Sequence, residues 1–415
     1  MHNGKLNSMK ILIVNTYGGA GGAAIACKRL HLALLSMGFD SRLLVLNQFD
    51  DAPQTYRFQD ANTVLKRVHR RIELRYFNHK YIKPYTFNPK GNHLHSPTPS
   101  VFDLKKHELY DWADVINLHW VSRFIDFPTF FSKNTDKPIV WTMHDMNPFT
   151  GGCHHAVDCE GFKAQCEKCP QLSLAYQGYN HQNWRLKSKA HLKNLTLVAP
   201  SNWLKNAAQS SSLFKNQNHF VIPNSLDIRV FKQYNKRFCK DIFNIKSPSK
   251  ILLFVAQNLS EPLKGMQYLL DALNEMKEKT TILIVGHTKI DLKNDDIIHL
   301  DTIGDERLMA LLYNAADVFV TPSLAENLPN VVLESLCCGT PVVAFNIGGM
   351  PDLINNNENG FLVEQKDAFN LAKSLDKALT YDWDRGKISA DAQKKYSSQK
   401  QVEAYIALFD SLVRK

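Results

Sequence analysis

The sequence has no run of apolar residues long enough to cross a bilayer: nothing among its 415 residues approaches the roughly 18 that a spanning helix needs. The opening MHNGKLNSMKILIVNTYGG holds one short apolar stretch, ILIV. It is too brief for a signal-peptide core and runs straight into glycines. It reads as a first strand, and the expected location is the cytoplasm or the inner face of the plasma membrane. No repeat at solenoid period and no low-complexity tract occurs, which excludes repeat arrays. The dinucleotide fingerprint G-x-G-x-x-G is missing, and no acidic residue ends the second strand candidate, Arg42 to Leu46. That argues against the first alternative, an NAD-dependent epimerase or dehydrogenase. A second alternative, a basic nucleic-acid-binding protein, finds no recognition motif and no concentrated charge, so nucleic acid is not an expected partner.

Hydrophobic residues at 44% and charged residues at 22% are ordinary for a globular protein. The length exceeds what one core supports, so two domains are expected. A net charge of +10 suits an anionic partner, whether phosphorylated substrate, acidic lipid or nucleic acid. Short β-branched runs alternate with amphipathic stretches, the pattern of parallel sheets covered by helices. Strand candidates are Lys10–Asn15, Arg42–Leu46, Val115–Leu118, Ile139–Met143 and Thr196–Pro200, then Lys250–Ala256, Thr281–Val285, Ile297–Leu300, Val318–Thr321 and Pro341–Phe345. The fold class is α/β, two Rossmann-like domains. The expected divisions are 9–222, with a cysteine-rich insert at 151–172, then 223–392, and a last helix at 393–415 crossing back to the first domain.

The most informative segment is VFVTPSLAENLPNVVLESLCCGTPVVAFNIGGMPDLI, Val318 to Ile354. It reads strand, loop, helix from Asn330, Gly339 as helix stop, then a new strand. Ligands bind beyond the carboxyl ends of parallel strands, which puts the loop Pro322 to Pro329 at a site. The first amides of the helix, Asn330, Val331 and Val332, lack intrahelical partners and suit a diphosphate. Glu334 can reach a vicinal diol such as a ribose, with Glu326 nearer the sugar. Two solvated glutamates around an ordinary helix are the plainer reading.

These residues resemble glycosyltransferase family 4, retaining transferases of the GT-B fold, marked by two glutamates with seven residues between them ahead of G-T-P-V-V; Glu326, Glu334 and Gly339–Val343 match. The resemblance implies two Rossmann-like domains facing across a cleft, a nucleoside diphosphate sugar as donor and a glycan or polyprenyl-linked acceptor. It implies no metal in catalysis. The second glutamate would hold the ribose and the first would face the donor sugar. PLKGMQYLLDAL is similar to the family's K-G segment and makes Lys264 a phosphate ligand, a cation for the departing diphosphate. Where many members carry an arginine on the preceding strand end, this chain has Gln257.

In the first half, Tyr17-Gly18-Gly19-Ala20-Gly21-Gly22-Ala23 follows the first strand and opens a helix. Gly19, Gly21 and Gly22 allow close backbone approach to phosphate or sugar oxygens, or simply make a tight turn. The segment WTMHDMNPFTGGCHHAVDCEGFKAQCEKCPQL resembles the subgroup that includes colanic acid and other exopolysaccharide transferases. From it His144 takes the role of donor-sugar contact, and Asp145 orients it or meets the acceptor. Cys153, Cys159, Cys166 and Cys169 run C-x5-C-x6-C-x2-C. Four thiolates in one loop could bind a structural Zn²⁺, with His154 and His155 as alternative ligands; disulfides and unliganded thiols remain open. Last, VLKRVHRRIELRYFNHKYIKP aligns Leu65, Val68, Ile72 and Tyr76 on one helical face with basic residues elsewhere. It is either a dock for anionic lipid or a helix packed on the sheet with a solvated basic face.

Overall fold

The computed structural model describes residues 9–19, 21–48, 51–59, 63–83, 94–132, 137–246, 248–287, 296–364 and 367–414. The chain divides into two compact units, one of residues 1–223 with 402–415 and one of residues 224–401.

The first unit carries β1 (Lys10–Tyr17), β2 (Asp40–Asn47), β3 (Thr55–Arg57), β4 (Val115–Leu118), β5 (Ile139–Thr142), β6 (Leu195–Ala199) and β7 (Asn218–Val221), in the order β3-β2-β1-β4-β5-β6-β7. All pairings are parallel. The second carries β8 (Lys250–Asn258), β9 (Thr280–His287), β10 (Ile297–Leu300), β11 (Val318–Thr321), β12 (Val342–Phe345) and β13 (Gly360–Val363), in the order β10-β9-β8-β11-β12-β13. It is parallel throughout as well. Central strands β4, β5, β6, β11 and β12 are buried along their whole length. Helices on both faces of a parallel sheet produce this, and it explains why the strands read as continuous apolar runs. In each sheet the strand order reverses once, between β1 and β4 and between β8 and β11. A doubly wound sheet opens a crevice there, outside the carboxyl ends of its strands.

Two expectations need correcting. The C-terminal stretch is not one helix over 393–415 but belongs to two, Arg385–Tyr396 and Ser398–Val413. Ser397 is extended (φ −65°, ψ 145°) because Leu226 bridges to it: the Leu226 amide donates to Tyr396 O at 3.0 Å and the Ser398 amide donates to Leu226 O at 3.2 Å. The second of these helices buries Val402, Tyr405 and Phe409 against Ile11, Ile13, Val140 and Val198 of the first unit.

The helix Val64–Phe77 is the other correction, to the option of a helix whose apolar face packs on the sheet. Thr63 caps it, its hydroxyl accepting from the Lys66 amide. Only Phe77 is buried, while Leu65 is 83% and Ile72 63% exposed, and Val68 and Tyr76 are exposed with them. The inward contacts are polar: Arg70 lies over the Phe102 ring, pairs with Glu73 and donates to Val101 O. The apolar stripe therefore faces water.

Candidate functional site

In the second unit the loop between β11 and the helix Asn330–Cys337 is gripped from two sides. The Leu324 amide donates to Leu263 O at 2.8 Å. Gly265 (φ 73°) lies so close that a Cβ would stand 1.8 Å from Pro322 O, and at Gly348 (φ 51°) one would stand 1.8 Å from Glu326 O. Both positions demand glycine twice over, for left-handed backbone and for lack of room. The grip sets Glu326 beside Lys264: Nζ and Oε1 are 2.7 Å apart. Glu326 raises the Lys264 ammonium above its ordinary range, and partial burial opposes it.

The helix Asn330–Cys337 starts after Pro329. Its Asn330 side chain accepts from Asn224 Nδ2 at 3.1 Å. Sequence reading left three amides without intrahelical partners, but Val332 N bonds back to Pro329 O at 3.1 Å. The first turn is closed there by a tight bond, so Asn330 and Val331 are the amides left to consider for an anion. Glu334, one turn in, is buried at 7% exposure and its Oε2 accepts from the Tyr313 hydroxyl at 3.0 Å. The Thr340 hydroxyl donates to Tyr313 O at 2.6 Å, and that of Ser335 to Thr340 O at 2.9 Å. The threonine of the G-T-P-V-V run is thus a fastener between the helix ends that frame Glu334. Gln257 is exposed at the end of β8. Asp382-Trp383-Asp384, the one D-x-D, is structural at Asp384, which caps the helix Arg385–Tyr396 by accepting from Lys387 N at 2.8 Å.

In the first unit, Gly21 (φ 88°) caps the helix Gly22–Ser36, with open space where its Cβ would stand. Gly18 N donates to Asn47 O, which fastens the start of the loop, and Gly19 is half-buried beside it. Tyr17 stacks on Trp120 at 5.5 Å. His144 follows β5 and is half-buried. Its Nε2 lies 2.9 Å from Nδ1 of His119, which follows β4. Scarcity of water around the ring lowers His144 to about 4, the Asp145 charge opposing, and His119 goes well below its usual range through burial and the His144 charge. Asp145 turns away from this pair. It accepts from Trp120 Nε1 at 2.8 Å and from Asn147 N at 2.8 Å, and its Oδ2 meets His154 Nδ1 at 2.6 Å. Burial pushes the Asp145 carboxyl up, but His154, His155 and the Asn147 amide outweigh it and bring it down to about 2.

The cysteine segment is built from short turns, and all four thiols are unpaired with one another. Cys166 Sγ accepts from Gly151 N at 3.3 Å, Cys159 Sγ from Gly161 N at 3.4 Å and Cys169 Sγ from Asn180 Nδ2 at 3.1 Å. Burial, chiefly, pushes Cys153 up to about 12, and each of the other three thiols adds to the rise. Among the described residues no three His, Cys, Asp or Glu side chains form a ready metal-holding group.

Sequence reasoning missed His119, Asn117 and Tyr313. A signal existed for the first: Asn117-Leu118-His119-Trp120 leaves β4 as Thr142-Met143-His144-Asp145 leaves its neighbour β5. Tyr313 had none, being a core aromatic by spacing.

Two doubly wound parallel sheets in two units, with polar residues gathered where each strand order reverses, define the class: an α/β chain with the GT-B architecture of glycosyltransferases. Residues 249–381 match the family described as Glycosyl transferases group 1. The chain is similar over nearly its whole length to a putative colanic acid biosynthesis glycosyl transferase of Escherichia coli, 24% identical over 97% of this chain and 100% of the relative. To an uncharacterized glycosyltransferase of Methanocaldococcus jannaschii it is 28% identical over 39% of this chain, and the match spans 44% of that relative's length. Among solved structures, sucrose-phosphate synthase from Thermosynechococcus elongatus superposes with TM-score 0.67 at 17% identity, covering 97% of this chain and 99% of the other. HepE of Anabaena in complex with UDP and glucose superposes with TM-score 0.63 at 17% identity, covering 97% and 100%.

Proposed function

We propose that the protein moves a sugar from a nucleoside diphosphate sugar to a hydroxyl of a glycan or polyprenyl-linked acceptor, with retained anomeric configuration, in surface polysaccharide synthesis. One observation carries the reading: Lys264, Glu326, the helix start at Asn330 and Glu334 gather along the carboxyl ends of β8 and β11. A diphosphate meeting this edge competes with Glu326 for Lys264 and takes the amides of Asn330 and Val331. The ammonium and the helix start then offset the charge that develops on the leaving group. Glu334, held by Tyr313, offers a carboxylate to a ribose diol, and Gln257 lines the same edge. Within the first unit, His144 and the loop of Gly19, Gly21 and Gly22 follow β5 and β1 at the carboxyl ends of the strands, the edge at which that unit would meet a sugar or acceptor. The relative from Escherichia coli and the UDP complex of the Anabaena neighbour support the acceptor class and the order in which bases should be tried.

Two further parts belong to this reading. The helix Val64–Phe77 sets exposed Leu65, Val68, Ile72 and Tyr76 among Lys66, Arg67, Arg71 and Arg75. That combination suits the headgroup region of an anionic membrane, where a lipid-linked acceptor resides. The four cysteine sulfurs take up a structural Zn²⁺: three already accept N–H bonds, the usual support of thiolate ligands, and the segment has little helix or strand of its own.

The reading is tested by a thermal-shift screen of the full chain against UDP, GDP, ADP and their sugars. A rise in Tm with one nucleoside diphosphate and its sugars is expected. A response to none of them, or a response to NAD alone, overturns the reading.

A further inference from the structure

The amide of Asn117 settles the protonation of two histidines beyond it. Asn117 is fully buried, and its Nδ2 lies 3.0 Å from Val140 O and 3.0 Å from Thr142 Oγ1. A backbone carbonyl only accepts, so the nitrogen must face that way and the amide oxygen the other. That oxygen is 2.9 Å from Nε2 of His119, which must therefore carry a proton there. His119 is 3% exposed and touches no carboxylate at either ring nitrogen, so it is neutral, and its Nδ1 bears only a lone pair. His144 Nε2 stands 2.9 Å from that lone pair, the two rings 28° from coplanar. An in-plane N–H on His144 Nε2 is the one arrangement that makes this contact a hydrogen bond.

We infer that Asn117 and His119 are positioning residues that hold His144 as its Nε2–H tautomer, so that His144 Nδ1 is a hydrogen-bond acceptor toward whatever group of the substrate it meets. The low values of both histidines agree with two neutral rings. The relay is anchored behind Asn117 as well: Thr142 Oγ1, which accepts from the amide, is 2.8 Å from the Tyr405 hydroxyl of the last helix, and Thr142 and Tyr405 are both buried. A substrate hydroxyl that meets Nδ1 must therefore donate to it. That His144 serves a sugar at all rests on the proposed function; the tautomer does not.

The test is the long-range proton–nitrogen spectrum of the full chain labelled with 15N-histidine, the His144 signals being assigned by their loss in His144→Gln. The expected pattern is a protonated Nε2 and an unprotonated Nδ1; a protonated Nδ1, or an equal mixture, overturns the relay. Asn117→Asp offers His119 a carboxylate, makes it cationic and turns its Nδ1 into a donor. His144 should then invert to its Nδ1–H form, and an unchanged His144 in a folded Asn117→Asp protein counts against the relay. Should that variant fail to fold, His119→Phe keeps the ring volume and removes the acceptor, and is expected to yield both tautomers of His144. With the sugar nucleotide retained by the thermal-shift screen, His144→Gln should lower kcat roughly ten-fold, the loss of one buried hydrogen bond. Wild-type turnover in that variant removes His144 from the site and leaves the spectrum to judge the relay.

Discussion

Glu326 owes its position to a residue 22 places on. Any side chain at Gly348 would meet Glu326 O at 1.8 Å and would also need a left-handed backbone, so Gly348→Ala has to move the loop that carries the glutamate. We expect about 1–3 kcal/mol lost from stability and a weakened Lys264 pair, read by urea unfolding and by nucleotide binding. An alanine variant matching wild type in both would show that the grip is unimportant. Tyr313→Phe removes one hydroxyl and leaves the buried Glu334 without that donor. Nucleoside diphosphate affinity should fall roughly three- to ten-fold with the fold intact, and calorimetry that finds no change contradicts the role given to Tyr313. His144 supplies a pH signature. Its folded value lies at about 4 against an ordinary 6.5, so between these the unfolded chain binds a proton that the folded chain refuses, and stability falls as pH drops through that window. The ring is half-buried, so the loss is on the order of 1–2 kcal/mol. Urea midpoints from pH 6.5 to 4.5 should show a shallower slope in His144→Gln. At this scale the motif residues Lys264, Glu326 and Glu334 were legible because their chemistry sits in a local spacing. Asn117, His119 and Tyr313 were not: His119 and Tyr313 act on partners 25 and 21 positions away, and Asn117 is oriented by Val140 and Thr142 of the neighbouring strand.

The helix Val64–Phe77 shows what periodicity can and cannot say. Spacing placed Leu65, Val68, Ile72 and Tyr76 on one stripe, but nothing in it tells whether the stripe meets protein or water. Arg70 decides the matter by turning inward onto Phe102 and Val101 O. Vesicles containing acidic phospholipid should bind the wild-type chain in a salt-sensitive way. Ile72→Glu with Leu65→Glu should abolish that binding without lowering Tm, since neither residue has core contacts to lose; binding that survives both substitutions contradicts the membrane role. The cysteine segment is the second element whose reading turns on a partner. Protein purified without added metal should hold about one zinc per chain by elemental analysis, and Cys169→Ser should lose it. Metal-free wild-type protein with unchanged Tm on zinc addition would contradict the site. The last helix was read as a single span for lack of any signal at Ser397, whose extended backbone is imposed by Leu226 from 171 residues away.

At the scale of the whole molecule, the parallel order of both sheets followed from short apolar and β-branched runs, and ten of the thirteen strands among the described residues could be located from such runs. The short strands β3 and β13 escaped because three or four residues carry no period, and the edge strand β7 shows only half-buried alternation. Each unit gathers its polar residues where the strand order reverses, and in the second unit that point holds the nucleotide site proposed for the chain. Isothermal titration of the nucleoside diphosphate chosen by the thermal-shift screen, into wild type, Lys264→Ala and Glu334→Ala, tests this most directly. The account predicts saturable binding by wild type and at least roughly ten-fold weaker binding by each variant, the worth of one charge-assisted hydrogen bond. Equal affinity in all three proteins would contradict it.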